Sequence, residues 1–136
     1  MIIASDAGAR IAGIIREELG KEVDLFSVSE RSGCVRINSI TDFTLRHFGD
    51  YEAFVFIGAM GICVRAIAPC VTSKYADPAV VNVDATGHFV VSVLAGHVGG
   101  ANALTKRLAR ILGAQPVVTT QSDNTGLWAL DLLGKE

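Results

Sequence analysis

Residues 54–102 read FVFIGAMGICVRAIAPCVTSKYADPAVVNVDATGHFVVSVLAGHVGGAN, and this stretch decides the fold. Two apolar runs each empty into a glycine-bearing turn, GAMG at 58–61 and GHVGGAN at 96–102, and each turn opens a helical pattern. A strand covered on both faces reads as an unbroken apolar run, which is what 53–57 supplies. After Gly58, the side chains of Met60, Cys63, Val64 and Ile67 fall on one helical face, and Pro69 ends that helix. Residues 71–78 make a polar loop carrying Lys74, Tyr75 and Asp77. The runs 79–83 and 88–94 are joined by Asp84-Ala85-Thr86-Gly87, a hairpin connection that makes the sheet mixed. Behind the second turn, Val98, Ala101, Leu104, Leu108, Ile111 and Leu112 form a helical stripe, with Lys106, Arg107 and Arg110 as solvated charges.

Working outward, residues 2–4 are a short apolar start, and Ser5 or Asp6 is placed to cap a helix with Ile11, Ile14, Ile15 and Leu19 inward, stopped at Gly20. Residues 23–28 read as a strand and 34–37 as another short one. Thr41 or Asp42 is expected to cap a helix through Phe48. Downstream, 116–120 reads as a last strand, and Ser122 or Asp123 as the cap of a final helix through Leu133. The expected architecture is α/β: three layers, a mostly parallel or mixed sheet with helices on both faces and one β-hairpin, in a single domain over 1–136.

Half of the 136 residues are apolar, which suits a buried α/β core rather than a solvated chain. The formal charge of −2 gives no global attraction to nucleic acid or acidic lipid, so any anion binding must be local. No apolar run approaches the roughly 20 residues of a membrane helix, and MIIASDAGAR is not a secretion signal. Cys34, Cys63 and Cys70 are odd in number and contain no CxxC pair, so neither a metal site nor a disulfide framework is expected. Cys63 reads as a buried, inert thiol, and the whole as a cytoplasmic protein.

Turn 58–61 brings small residues, Gly58, Ala59 and Gly61, to a strand–helix junction, where bare N–H groups can meet a carboxylate or phosphate. It falls short of both GxGxxG and a P-loop, and a tight packing turn explains it as well. In turn 96–102, His97 stands among Gly96, Gly99 and Gly100, with Asn102 behind. Core packing explains such a histidine poorly, and imidazole there can serve as a general base or a donor; the plain alternative is a residue that fills the turn. Lys74 and Arg65 can receive carboxylates, although helical arginines are usually just solvated. Asp77 before Pro78 and Asp84 before a hairpin are also ordinary turn residues. His88 can pair with Asp84 on the surface, and His47 reads as a surface or packing residue.

Taken together, GAMGICVRAIAP, KYADPAVVNVDATG and LAGHVGGAN resemble the N-terminal region of the cobalt-precorrin-5A hydrolases of the anaerobic cobalamin route, a likeness that runs from 58 to 123. The resemblance implies opening of the ring-A δ-lactone of a cobalt-corrinoid, with release of acetaldehyde. Water attacking a lactone carbonyl needs a base and oxyanion donors. His97 is the expected base, Asp84 its support, and the amides near Gly99 and Gly100 the donors. Gly58, Ala59, Gly61, Arg65, Lys74, Asp77, Gly96 and Asn102 complete the expected substrate site. Cobalt is expected only within the substrate, with no protein metal and no other cofactor.

Family members continue into a further C-terminal domain, whereas this sequence ends at Glu136. A longer or fused chain (for example with a corrin-ring methyltransferase), or a homodimer, is therefore expected to complete the site. Two other readings stay open: a non-catalytic tetrapyrrole-binding module, and a nucleotide- or sugar-phosphate-binding domain. All three place the turns at 58–61 and 96–102 on one rim.

Overall fold

The computed structural model describes residues 2–3, 8–97 and 99–120. Strand β1 (Ile2–Ile3) leads to helix α1 (Gly8–Leu19), and a short 3-10 turn follows. Then come β2 (Phe26–Ser27), β3 (Val35–Arg36), α2 (Ile40–His47), β4 (Ala53–Ile57) and α3 (Met60–Ile67). Strands β5 (Ala79–Val83) and β6 (Phe89–Leu94) precede α4 (Ala101–Leu112) and β7 (Gln115–Val117). The expected caps at Ser5, Asp6, Ser122 and Asp123, the helix through Leu133 and the inward Val98 lie outside the described residues.

The sheet order is β3-β2-β1-β4-β5-β6-β7. The first five strands run parallel, β6 is antiparallel to β5, and β7 runs with β6. Period-two alternation then feeds both faces at once. Val55 and Ile57 of β4 join Ile11, Ile15, Val81, Val83, Val90 and Leu108 beneath α1 and α4. Phe54 and Phe56 face the other way, onto Phe26, Phe48, Cys63, Ala66, Ile67 and Val80 beneath α2 and α3. The arrangement is the three-layer α/β sandwich with one hairpin that the apolar runs predict. Among the described residues, no helix is long and apolar enough to cross a membrane.

Several local expectations are corrected. The α2 cap is Ser39, not Thr41 or Asp42: its backbone is extended and its Oγ accepts from the Asp42 amide at 3.1 Å. Losing that acceptor leaves a helix donor unpaired, so Ser39→Ala should cost about 1 kcal/mol in a urea melt. Val64 is 47 % exposed. The inward stripe of α3 is instead Cys63, Ala66 and Ile67, spaced i, i+3, i+4. The run 23–28 pairs only at Phe26–Ser27, and the last strand sits at Gln115–Val117 rather than 116–120. Cys63 is fully buried, and desolvation pushes its thiol up to about 12, which makes it inert at neutral pH.

Candidate functional site

The hairpin decides which residues can meet. Gly58 follows β4, and its amide donates to the Val83 carbonyl, so the 58–61 turn sits where β4 and β5 end. Strand β6 then runs back, pairing Leu94 with Val80. The 96–100 turn therefore emerges where β4 and β5 begin. An ideal Cβ on Gly99 would stand 3.3 Å from the Ala79 amide nitrogen. Four residue steps of β4 separate the two levels, roughly 13 Å at ~3.3 Å per step. The expectation of a shared rim is overturned. Active groups collect at strand C-terminal ends, but an antiparallel strand carries its C-terminal end to the opposite edge of the sheet.

The expected residues accordingly divide. Gly58, Ala59, Gly61 and Asp84 lie at one end; Lys74, Asp77, Gly96, His97, Gly99, Gly100 and Asn102 lie at the other. Arg65 is exposed in the last turn of α3. Asp84 therefore cannot support His97 within this chain. Its work is local: Oδ1 accepts from the Phe89 amide at 2.6 Å, and Oδ2 accepts from the Thr86 hydroxyl and amide. His88 does not pair with Asp84 through its ring; its Nδ1 meets the Thr86 hydroxyl at 3.1 Å. Burial alone would raise the Asp84 carboxyl, but the hydrogen bonds from Thr86, Phe89 and His88 outweigh it and hold it below its usual range. A depressed carboxylate lends stability above its unfolded value and loses it as pH falls through the folded one. Asp84→Asn should therefore weaken the protein at pH 7, and the gap should close in acid. Urea melts at pH 7 and pH 3 check this; an equal gap at both would contradict it.

The other end has more of the makings of a site. A cleft of about 330 Å³ is lined by Gly49, Tyr51, Glu52, Tyr75, Asp77 and Gly99, among others. Asp77 is buried, and its carboxylate accepts from the Thr72 amide at 3.1 and 3.0 Å and from the Thr72 hydroxyl at 2.8 Å. It folds the 72–77 loop and so presents its neighbours. Tyr75 is 74 % exposed, with Lys74 Nζ 5.3 Å from its ring centroid. Burial first, then the hydrogen bond to Asp24 and the charges of Asp24 and Asp50, raise the Tyr51 phenol, which stays protonated as a donor. Tyr51 and Glu52 escape sequence reasoning because they precede a strand; only the sheet's direction brings them here.

The residues on either side of the 96–100 turn are held tightly. Ala95 has φ 58, the single positive value outside glycine among the described residues, a conformation that costs about 1–2 kcal/mol. Gly100 caps α4 at φ 84, where glycine alone is unstrained. Of the donors that open α4, Ala101 N–H already donates to the Ala95 carbonyl and Asn102 N–H to that of Gly96. The amides of Gly99 and Gly100 have no backbone partner among the described residues. His97 is exposed between them and Gly96. Asn102 is buried: Ser92 Oγ donates to its Oδ1 at 2.7 Å, and its Nδ2 donates to Thr120 Oγ1 at 2.8 Å. Among the described residues no cluster of three or more His, Cys, Asp or Glu is placed to hold a metal ion.

Residues 42–123 match the family described as Cobalamin synthesis G N-terminal. The cobalt-precorrin-5A hydrolase of Salmonella typhimurium is 56 % identical over 86 residues, 63 % of this chain and 24 % of that protein. The same enzyme from Priestia megaterium is 48 % identical over 88 residues, 65 % of this chain and 24 % of that one. The chain thus spans about a quarter of the length of these relatives. In three dimensions it is similar to a putative cobalamin biosynthesis protein G homolog from Sulfolobus solfataricus, at a TM-score of 0.65 and 29 % identity. That similarity covers 87 % of this chain and 35 % of the other.

Proposed function

The chain belongs to the Cobalamin synthesis G N-terminal family, and from that premise we propose that it acts as the N-terminal part of a cobalt-precorrin-5A hydrolase. Its share of the site is the end of the sheet built from 74–78 and 96–102. The observation that carries this reading is the meeting of two polar segments at one edge, although the strands and hairpin of 79–95 separate them in sequence. Lys74 offers a cation to substrate carboxylates. His97 takes a proton from the attacking water as its oxygen bonds to the lactone carbonyl, and the Gly99 and Gly100 amides receive the negative charge that develops. Collapse of the tetrahedral intermediate breaks the ring C–O bond, and His97 returns its proton to the leaving oxygen; cleavage of the C–C bond between that carbinol carbon and the macrocycle then frees the two-carbon fragment as acetaldehyde, with the bonding electrons and the hydroxyl proton staying behind on the macrocycle. Cobalt enters as part of the substrate.

A second reading has its own support: His97 is exposed, and Asp84 is held in its own hairpin at the opposite edge of the sheet. On that reading the chain holds tetrapyrrole carboxylates while other parts of a longer protein, or a second copy, perform the chemistry. Incubation of the purified chain with cobalt-precorrin-5A, with acetaldehyde followed and binding measured by calorimetry, separates the two. Saturable binding with acetaldehyde release is the expected result. Binding without release would move the chain to the second reading. Tight binding of a nucleotide, with none of the corrinoid, would discard both.

A further inference from the structure

We propose that Asn102 is a positioning residue that fixes Ala95 and Gly96, and with them His97, rather than a substrate contact. The residue is only 5 % exposed, and both ends of its amide are engaged. Ser92 on β6 donates to Oδ1, while Nδ2 donates to Thr120 just beyond β7. Its own backbone N–H donates to the Gly96 carbonyl at 3.0 Å, immediately before His97. One residue thus ties together a strand, the exit of the next strand and the turn itself. A substrate carboxylate would have to displace these partners to reach the amide, and a buried donor or acceptor left unpaired carries its full desolvation penalty.

The fit around Gly96 adds to this. A Cβ there would lie 2.7 Å from Asn102 Oδ1 and 2.8 Å from Thr120 Cγ2, so the turn is seated directly on the Asn102 network. Ala95, one residue earlier, holds the left-handed conformation. A strained residue persists only where its surroundings over-determine it, and the Asn102 ties are part of those surroundings. Without them, Ala95 has reason to relax and His97 to move.

The chain's three histidines supply the test. His47 sits against Asp50 at 2.8 Å and His88 against Thr86 at the far end of the sheet, so both serve as internal controls. In NMR spectra of the imidazole Cε1–H groups, Asn102→Ala should shift or broaden the His97 signal and leave the other two in place. Ser92→Ala, which removes one tie, should move the same signal by less. If Asn102→Ala does not fold, Ser92→Ala alone decides. An unmoved His97 signal in folded protein, or equal movement of all three, would overturn the proposal. The kinetic arm rests on the hydrolase reading: kcat should fall about 100-fold, with KM within about twofold. A raised KM at unchanged kcat would make Asn102 a substrate contact after all. Absence of wild-type turnover would sink the hydrolase reading, and the NMR arm would still decide Asn102.

Discussion

Gly99→Ala is expected to destabilise the protein by about 3 kcal/mol, lowering its Tm by roughly 10 °C. The new Cβ would stand 2.6 Å from the Ala95 Cβ, 3.0 Å from the Ala95 carbonyl oxygen and 3.3 Å from the Ala79 nitrogen. None of these atoms is the far end of a flexible side chain. Two are backbone, and the third belongs to a residue already held at positive φ. Relief therefore has to come from moving the turn away from the start of β5, which breaks the junction between α4 and the sheet. Domain stability is only about 5–15 kcal/mol, so a loss of this size is easily read in a thermal or urea melt. Gly61→Ala is the control. A Cβ there meets nothing within 4 Å, and alanine favours the helix, so this variant should gain about 0.5–1 kcal/mol. Equal losses at both positions would mean that glycine matters here for chain flexibility rather than for room.

The contrast between these glycines shows how much of the molecule was legible in its residues. In sequence, 58–61 and 96–102 look like two versions of one device. In space, Gly61 stands clear, whereas Gly96 and Gly99 are wedged against Asn102 and Ala95. Strong local signals were readable: the run at Ala53–Ile57 and the hairpin after Val83 form as their patterns require, and in α4 Ala101 and Leu108 are buried as expected, with Leu104, Ile111 and Leu112 partly so, while Asn102, Thr105 and Ala109 fill the rest of the inward face. Short strands were not, since β2 and β3 are two residues each and owe their pairing to neighbours rather than to their own sequence. The gathering of the site depended on strand direction. Parallel pairing of β4 with β5 set Tyr51 and Glu52 beside Asp77, one antiparallel step then separated Asp84 from His97 and brought Gly99 to the same cleft, and no local spacing records either. Ser39 is not singled out by the sequence as the α2 cap for a simpler reason: Ser39, Thr41 and Asp42 are all capping types, and only the backbone shows where the helix begins.

His97→Gln is expected to lower kcat for lactone opening by about 100- to 10,000-fold while leaving corrinoid binding within a few-fold of wild type. Glutamine keeps the length and a hydrogen-bonding tip but cannot accept a proton from water, so the change isolates the proposed base function. The other two histidines and Asp84 are placed elsewhere in the fold. His47 is paired with Asp50, His88 with Thr86, and the Asp84 carboxylate is held in its own turn at the opposite edge. Acetaldehyde release, beside calorimetric binding of the same corrinoid, measures both quantities. A variant that turns over at the wild-type rate would end the base assignment. One that loses binding and turnover in equal proportion would make His97 a recognition group, and the edge built from 74–78 and 96–102 would then hold the macrocycle while other groups open it.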